Sequence, residues 1–486
     1  MGYSQFLNMV PEFYLVCILL AVFFMDFFFS RKSGRDHEVF GGVTIGLMLV
    51  LPVRIAFLSE PTEAFGGMYV ASQAANVMKV ILSIGTVIVL IMAEPWLKNE
   101  AQKHRGEFYL LMLSTLLGMF IMVSSGSFLL FFLGLETASV PMACLVAFDK
   151  FKKKSAEAAA KYILVATFSS GVMLYGISFV YAATGTLYFD DVANVLFGTN
   201  PLYEGVTPLT ILGLVFFFSG LAFKLSLVPF HFWTADTYEG APTPVTGYLS
   251  VCSKGAAAFA AMVILTKAFA PLVEYWEYML YVLIVLSITI ANLFAIRQSE
   301  LKRFMAFSSI SQAGYIMLAV IGASQTGMAS LMYYVLVYVV ANMAVFTVIS
   351  TVEQNNGGTT AMSSYDGLYQ TNPKLAFLMT LALFSLAGIP PFAGMFSKFF
   401  VFMAAAQQGS FWAYFVVFIA LVNTVVSLYY YLLIVKAMYI NKTETPLPAF
   451  KTDGNTRFAL ALCTLGIALF GLCSCIYEWL FAASAM

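Results

Sequence analysis

The stretch that decides the fold is SGLAFKLSLVPFHFWTADTYEGAPTPVTGYLSVCSKG, residues 219–255. It places Lys224, His231 and Lys254 in segments that are otherwise apolar enough to lie in lipid, and Pro229 interrupts one of these segments. A charged side chain at the centre of a bilayer costs roughly 2.5–3.5 kcal/mol on insertion scales, so such residues usually mark a path for ions or protons. The stretch therefore predicts membrane helices built around buried charges.

Within this stretch the chain turns at Gly240-Ala241-Pro242, where glycine and proline end one helix and allow the next to begin. With a rise of ~1.5 Å per residue, Lys254 lies ~18 Å from this turn along one helix and Lys224 ~24 Å along the other. We therefore expect both lysines at a similar depth near the middle of the membrane.

The composition of the whole chain also indicates a membrane protein. Its 486 residues are 61% hydrophobic and 10% charged, with a mean hydropathy of +0.86, which favours a bundle of membrane helices over any soluble fold. The net charge is zero, which argues against a nucleic-acid partner. Three histidines lie far apart, and six cysteines lie in apolar segments without CxxC spacing. The sequence therefore predicts neither a structural metal nor a cofactor on this chain.

Apolar runs predict about fourteen membrane spans, because each run is long enough to cross a hydrocarbon core of ~30 Å. The runs cover residues 10–30, 39–58, 76–97, 108–124, 128–148, 156–183, 207–239, 243–268, 272–296, 304–322, 326–352, 374–406, 411–440 and 457–483. We expect the first to be a retained anchor, since no small-residue cleavage site follows it. The chain is thus predicted to be one all-α integral membrane domain.

Basic residues orient this bundle. They concentrate in the loops after the first, third, fifth, ninth and thirteenth spans: Arg31, Lys32, Arg35, Lys98, Lys103, Arg105, Lys150, Lys152, Lys153, Lys154, Arg297, Lys302, Arg303, Lys436, Lys442 and Lys451. By the positive-inside rule these loops are cytoplasmic, so both termini are predicted on the opposite side.

Two spans are interrupted in a similar way. The seventh breaks around Val228-Pro229-Phe230, and the twelfth breaks at Gly388-Ile389-Pro390-Pro391 with Lys398 seven residues beyond. Paired interruptions of this kind point to a transport site near the midplane. Proline kinks of purely structural use would produce the same pattern, so that alternative stays open.

The two interruptions lie five spans apart, and an offset of five spans reverses the direction in which a helix crosses the membrane. We therefore predict two inverted five-helix repeats, residues 107–270 and 271–442, each with one broken helix. Three N-terminal spans in residues 1–106 precede them, and one C-terminal span in residues 443–486 follows.

Glu136 is a further candidate, because it lies near the centre of the fifth span, where a carboxylate is costly to bury. Lys161, early in the sixth span, could pair with it, although a lysine that reaches the membrane surface fits equally well. Purely structural roles are the alternative for both residues. Glu136 could be an acid that only hydrogen-bonds a neighbouring hydroxyl, and His231 could be a histidine that only hydrogen-bonds its neighbours at a helix break. The run from Ser308 to Gln312 could line a hydrated path, although such residues more often bond helices together.

Four motifs together carry a family resemblance. They are LGLETASVP at 133–141, FKLSLVPFHFWTADTYEGAPTPVTGYLSVCSKGAA at 223–257, LKRFMAFSSISQAGYIM at 301–317 and SLAGIPPFAGMFSKF at 385–399. The chain resembles the antiporter-like membrane subunits of respiratory complex I, from about residue 108 to 440. Within that family, the resemblance implies a glutamate at the position of Lys398 in the M-type subunit, and a long lateral helix after the fourteenth span in the L-type subunit.

The resemblance implies roles for six residues in proton transfer. They are Glu136 and Lys161 as a charged pair of the fifth and sixth spans, Lys224 in the broken seventh span, His231 as the connecting polar residue, Lys254 in the eighth span, and Lys398 in the broken twelfth span. It also implies proton translocation in a bacterial inner membrane, with no redox chemistry on this chain. NADH, flavin, iron–sulfur clusters and quinone would belong to the assembled complex.

The resemblance further implies K-like and M-like neighbours and contact with the lateral helix of an L-like subunit. Three other functions remain open at the level of the sequence. The chain could belong to a multisubunit cation/proton antiporter, could be a structural membrane subunit without its own proton path, or could be a free-standing transporter.

Overall fold

The computed structural model describes residues 3–29, 35–58, 60–99, 104–198, 205–443 and 446–485. The predicted cytoplasmic residues Arg31, Lys32 and Lys103 lie outside these ranges. Within the described ranges, 13 helices are long and apolar enough to cross a membrane. They are Val10–Phe29, Arg35–Ala56, Gln73–Asn99, Arg105–Val123, Phe128–Val146, Lys153–Thr184, Pro208–Leu225, Thr243–Thr266, Val273–Ala295, Leu301–Ile321, Gln325–Asn355, Phe411–Tyr439 and Gly454–Leu472.

The seventh and twelfth spans are each broken into two helices. The halves are Pro208–Leu225 and Phe232–Gly240 in the seventh span, and Pro373–Ala387 and Ala393–Ala406 in the twelfth. The first half ends in both cases at a residue with positive φ, Ser226 at 62° and Gly388 at 89°. Each break also contains a cis peptide bond before a proline. With the broken twelfth span counted, the prediction of about fourteen spans and two interruptions is confirmed.

The eighth span is irregular immediately before its lysine. It consists of an α-helix at Thr243–Tyr248, a π-helical turn at Leu249–Ser253 and a second α-helix at Lys254–Thr266. Single π turns inside α-helices occur frequently at functional sites. The turn also accommodates one extra residue, which rotates the helix before it against the helix after it by roughly 100°.

Outside the spans the structure contains short elements that the sequence did not predict. A two-stranded antiparallel hairpin pairs Thr62–Ala64 with Tyr69–Ala71, with Thr62 opposite Ala71. The remaining short helices are Tyr3–Asn8, Phe189–Leu196, Ala270–Leu272, Met362–Tyr365 and Leu368–Thr371. The predicted last span, 457–483, forms two helices instead of one, Gly454–Leu472 and Cys475–Ala483. Across the described ranges the fold is all-α apart from this hairpin.

The buried core lies around the tenth and eleventh spans. Every residue in the most apolar stretch of these two spans is buried, as are most residues of the third and eighth spans, whereas the first and thirteenth spans are largely exposed. Exposed apolar faces suit contact with lipid tails. Two residues counted above among the cytoplasmic loops are instead buried at span ends: Arg105 forms an ion pair with Glu94, and Lys302 Nζ donates to Ala241 O at 2.6 Å.

Candidate functional site

Lys224 lies in the last turn of the first half of the seventh span and is 5% exposed. Its Nζ donates hydrogen bonds to Ser139 Oγ at 2.8 Å and to Tyr162 Oη at 3.4 Å. Glu136, one turn before Ser139 on the fifth span, accepts a short hydrogen bond from Ser170 Oγ and lies within electrostatic range of Lys224. A carboxylate at that range stabilises the ammonium charge. The structure therefore brings Glu136 and Lys224 together.

Lys161 occupies a different environment. Its side chain is 45% exposed, and its Nζ contacts Asp236 Oδ2 at 2.6 Å and Glu157 Oε1 at 2.8 Å. Arg303 Nη1 contacts the other carboxylate oxygen of Asp236 at 2.8 Å. Of the two groups proposed as a charged pair, Lys161 is thus tied to the second half of the seventh span, and Glu136 is not among its ion-pair partners within the described residues.

Lys254 begins the helix that follows the π turn and is 2% exposed. Its Nζ donates to Ser309 Oγ at 2.7 Å and lies 5.5 Å from the centre of the Tyr238 ring. His231 precedes the second half of the seventh span, is buried, and lies within electrostatic range of Lys254. The ring centres of His231 and Phe232 are 4.6 Å apart. The break of the seventh span and the π turn of the eighth therefore face a common buried region.

A row of polar groups continues from Ser309 toward the twelfth span. Ser308, the preceding residue on the tenth span, hydrogen-bonds Tyr431 Oη at 2.5 Å. Gln312, one turn later, donates from Nε2 to Tyr431 Oη at 3.2 Å and to Leu386 O at 3.3 Å. Hydroxyl and amide groups in such a row can donate and accept protons in hydrogen bonds. The row ends one residue before the break of the twelfth span.

Lys398 lies at the end of this row. It is 4% exposed, its Nζ donates to Ala387 O at 3.0 Å, and it lies 4.9 Å from the centre of the Tyr315 ring. Ala387 is the last residue of the first half of the twelfth span. The ammonium is therefore held by an aromatic face and by a carbonyl at the C-terminal end of a helix, where the helix dipole is negative.

Several buried polar atoms near these groups have no hydrogen-bond partner within the described residues. They include His231 Nδ1, Asn342 Oδ1 and the hydroxyl oxygens of Ser226, Thr234, Thr237, Ser311 and Tyr338. Buried polar atoms are costly unless they are hydrogen-bonded, and ordered water is their usual partner when protein groups are absent. They indicate positions where water molecules can join the lysines.

Sequence reasoning missed most of the side chains that contact the lysines, although Ser309 lies in the hydroxyl-rich run named above. Ser139 was detectable, because it follows Glu136 by three residues and so shares its helix face. Tyr162, Tyr238 and Tyr315 were not, because the chain contains 26 tyrosines and no spacing separates these three from the others. The contacts arise between helices that are far apart in sequence.

Comparisons with known proteins agree with this geometry. The family model described as NADH:quinone oxidoreductase/Mrp antiporter, TM matches residues 125–425. A protein of Phocaeicola vulgatus named NADH-quinone oxidoreductase subunit N is 57% identical over 481 residues, which are 99% of each chain. A chain in the structure of respiratory complex I from Thermus thermophilus with bound aureothin is 30% identical with a TM-score of 0.77, over 96% of this chain and 98% of that one.

A chain in the Mrp complex from Dietzia sp. DQ12-45-1b is 20% identical with a TM-score of 0.84, over 99% of this chain and 97% of that one, and it shares the fold. The family model covers more than half of the sequence, and the Phocaeicola vulgatus relative covers nearly all of it. The chain therefore belongs to the family of NADH:quinone oxidoreductase and Mrp antiporter membrane subunits and, within that family, to the subunit N group.

Proposed function

We propose that the chain is the proton-translocating membrane-arm subunit N of an NADH-quinone oxidoreductase, and that Glu136, Lys224, Lys254 and Lys398 carry the proton. The observation that supports this most directly is that the buried Lys224, Lys254 and Lys398 each donate a hydrogen bond to a buried polar group. Bonded hydroxyl and amide groups also lie between the serine that Lys254 contacts and the broken twelfth span. Unlike Lys79, which is paired with Glu12, these lysines form no direct ion pair within the described residues, so packing alone gives little reason to keep them at such depth.

In the proposed cycle, the Glu136 carboxylate stabilises the protonated form of Lys224. When that carboxylate is protonated or moves away, the ammonium loses its counter-charge, and burial then favours the neutral amine. The released proton passes to the Lys254 region and along the hydroxyl row to Lys398. Each proton moved against 100 mV requires about 2.3 kcal/mol, so the energy comes from quinone reduction elsewhere in the complex, where NADH, flavin and the iron–sulfur clusters also belong.

His231 and Lys161 are proposed as accessory groups at the second half of the seventh span. His231 offers an unbonded Nδ1 close to the lysine region, which suits a group that relays a proton through water. Lys161 is joined to the same half-helix through Asp236. Its role in proton transfer stays a prediction.

The domain boundaries and membrane orientation are also proposals. We propose inverted repeats at residues 107–270 and 271–442, flanked by segments 1–106 and 443–486, because the two broken spans lie five spans apart. An even number of spans puts both termini on one side, and the basic residues place that side opposite the cytoplasm of a bacterial inner membrane. K-like and M-like neighbours and the lateral helix of an L-like subunit are the proposed partners in that membrane.

The variant Glu136→Gln separates a pump from a scaffold, because glutamine keeps the shape and an acceptor for Ser170 but removes the charge. The loss of about 1.4 kcal/mol of charge stabilisation changes a protonation equilibrium roughly tenfold. We expect normal assembly, measured by co-purification in mild detergent, together with coupled loss of quinone reduction and proton pumping in membrane vesicles. Loss of assembly alone would instead support a structural subunit.

A further inference from the structure

The third span, which precedes the region matched by the family model, packs directly against the eighth span beside Lys254. The closest approach is at Gly85, where an added Cβ would lie 2.6 Å from Cys252 Sγ and 3.5 Å from the Val339 side chain. Carbon–sulfur contacts of that length do not occur in unstrained cores, because interiors are already close-packed. Cys252 is fully buried within the π turn Leu249–Ser253. The space that a side chain at residue 85 would occupy is therefore filled by Cys252 of that turn.

The contact continues on the other side of the lysine. Gly255 follows Lys254, and a Cβ there would lie 3.2 Å from Met78 Cε on the third span and 2.6 Å from Val335 Cγ1 on the eleventh span. The eighth span is thus held between the third and eleventh spans both before and after Lys254. A side chain added at either glycine displaces this segment unless the neighbouring helices move.

The position of the π turn determines which polar groups Lys254 can reach. Ser250 in the turn accepts a hydrogen bond at its Oγ from Asn342 Nδ2 at 2.6 Å and at its carbonyl from Ser309 Oγ at 3.4 Å. Ser309 Oγ also accepts from Lys254 Nζ at 2.7 Å. Ser309 therefore links the turn to the lysine, so that a shift of the turn changes the geometry at the ammonium.

The third span itself is fixed by buried charges. Lys79 is 0% exposed, and its Nζ contacts Glu12 Oε1 on the first span at 2.7 Å and Tyr69 Oη on the hairpin at 3.0 Å. At the other end, Glu94 forms an ion pair with Arg105 on the fourth span. Breaking one partner of a buried pair costs roughly 3–5 kcal/mol, so the span resists displacement and can act as a rigid template.

We propose that Gly85 is a positioning residue for proton transfer: its missing side chain seats Cys252, and the third span thereby sets the π turn that aligns Lys254 with Ser309. This inference rests on the proposed function of Lys254. It gives the third span a role in aligning the proton path, although none of its residues lies on that path.

The test uses the assembled complex in membrane vesicles and measures the rate of proton pumping per assembled complex, which a general loss of folded protein does not change. We expect Gly85→Val to lower this rate by roughly threefold or more, since small misplacements of reacting groups have large effects on rate. Gly85→Ala should lower it less. Gly46→Val, at a glycine of the second span with no atom within 4 Å, is the matched control and should leave the rate unchanged.

A second substitution tests the contact itself. Cys252→Ala removes the sulfur that a side chain at residue 85 would meet, so in combination with Gly85→Ala it should restore the pumping rate that Gly85→Ala alone loses. A Gly85→Val complex that pumps normally would overturn the inference, as would a double variant no better than Gly85→Ala alone. If Gly85→Val fails to assemble, the comparison of Gly85→Ala with the double variant Gly85→Ala, Cys252→Ala decides whether the inference holds.

The same experiment includes Lys254→Ala, which separates this inference from the function on which it rests. Normal pumping by Lys254→Ala refutes the proposed proton path. Loss of pumping in Lys254→Ala with normal pumping in every Gly85 variant refutes the positioning role alone.

Discussion

The two broken spans interrupt the membrane in the same manner but hold their lysines differently. In the seventh span, Lys224 lies two residues before the break, bonds side-chain hydroxyls and lies within range of the Glu136 carboxylate. In the twelfth span, Lys398 lies in the half after the break and contacts the Ala387 carbonyl and the Tyr315 ring. Within the described residues neither lysine forms a direct ion pair, and of the two only Lys224 has a carboxylate within electrostatic range.

This difference indicates that Lys224 has a nearby group whose charge can change, whereas the groups that contact Lys398 have fixed partial charges. A carboxylate can take up a proton or move, whereas a carbonyl at the end of a helix carries a fixed share of roughly −0.5 of an elementary charge. The protonation of Lys224 can therefore be switched within this chain. Any switch acting on Lys398 must come from its hydration or from a group outside the chain.

The largest effect is expected from the switchable lysine. Lys224→Ala should abolish proton pumping by the assembled complex, because the proton carrier is gone. Lys224→Arg should also fail, since a guanidinium keeps the charge but does not release its proton at physiological pH. Proton uptake by membrane vesicles during quinone reduction measures both, with co-purification as the check on assembly. Undiminished pumping by either variant in a normally assembled complex would defeat the assignment.

The sequence predicted both breaks and the burial of Lys224, Lys254 and Lys398, because prolines within apolar runs and charges in lipid are local signals. It did not predict the burial of Lys302, which it placed in a cytoplasmic loop. It predicted neither the partner of Glu136 nor that of Lys161, since these depend on which helix faces are in contact. Lys161 lies ~9 Å along its helix from Ser155, a depth that suits a surface lysine and a buried one equally. The packing of Gly85 against Cys252 likewise joins residues that no spacing relates.

A smaller effect is expected at Ser226 and Gly388, the residues at which the first halves of the two broken spans end. Gly388 has φ of 89°, and an added Cβ would lie 3.1 Å from Lys398 Cδ, so Gly388→Ala should destabilise the fold by about 1–3 kcal/mol. Ser226 already carries a side chain at φ of 62°, so Ser226→Gly should be neutral or slightly stabilising. Thermal inactivation of the purified complex measures both. Equal shifts in the same direction would show that the two breaks are not held differently.

The smallest effect is expected at Lys161, where the comparison with Lys224 distinguishes a tether from a carrier. Partly exposed ion pairs contribute little to stability, and arginine can maintain those that Lys161 forms with Asp236 and Glu157. If Lys161 tethers the second half of the seventh span, Lys161→Arg should pump normally while Lys161→Met loses part of the rate. If it carries protons, Lys161→Arg should fail as Lys224→Arg does, because neither guanidinium can deprotonate. Parallel measurement of the two arginine variants therefore decides whether the proton path includes this exposed lysine or begins at Glu136 and the buried Lys224.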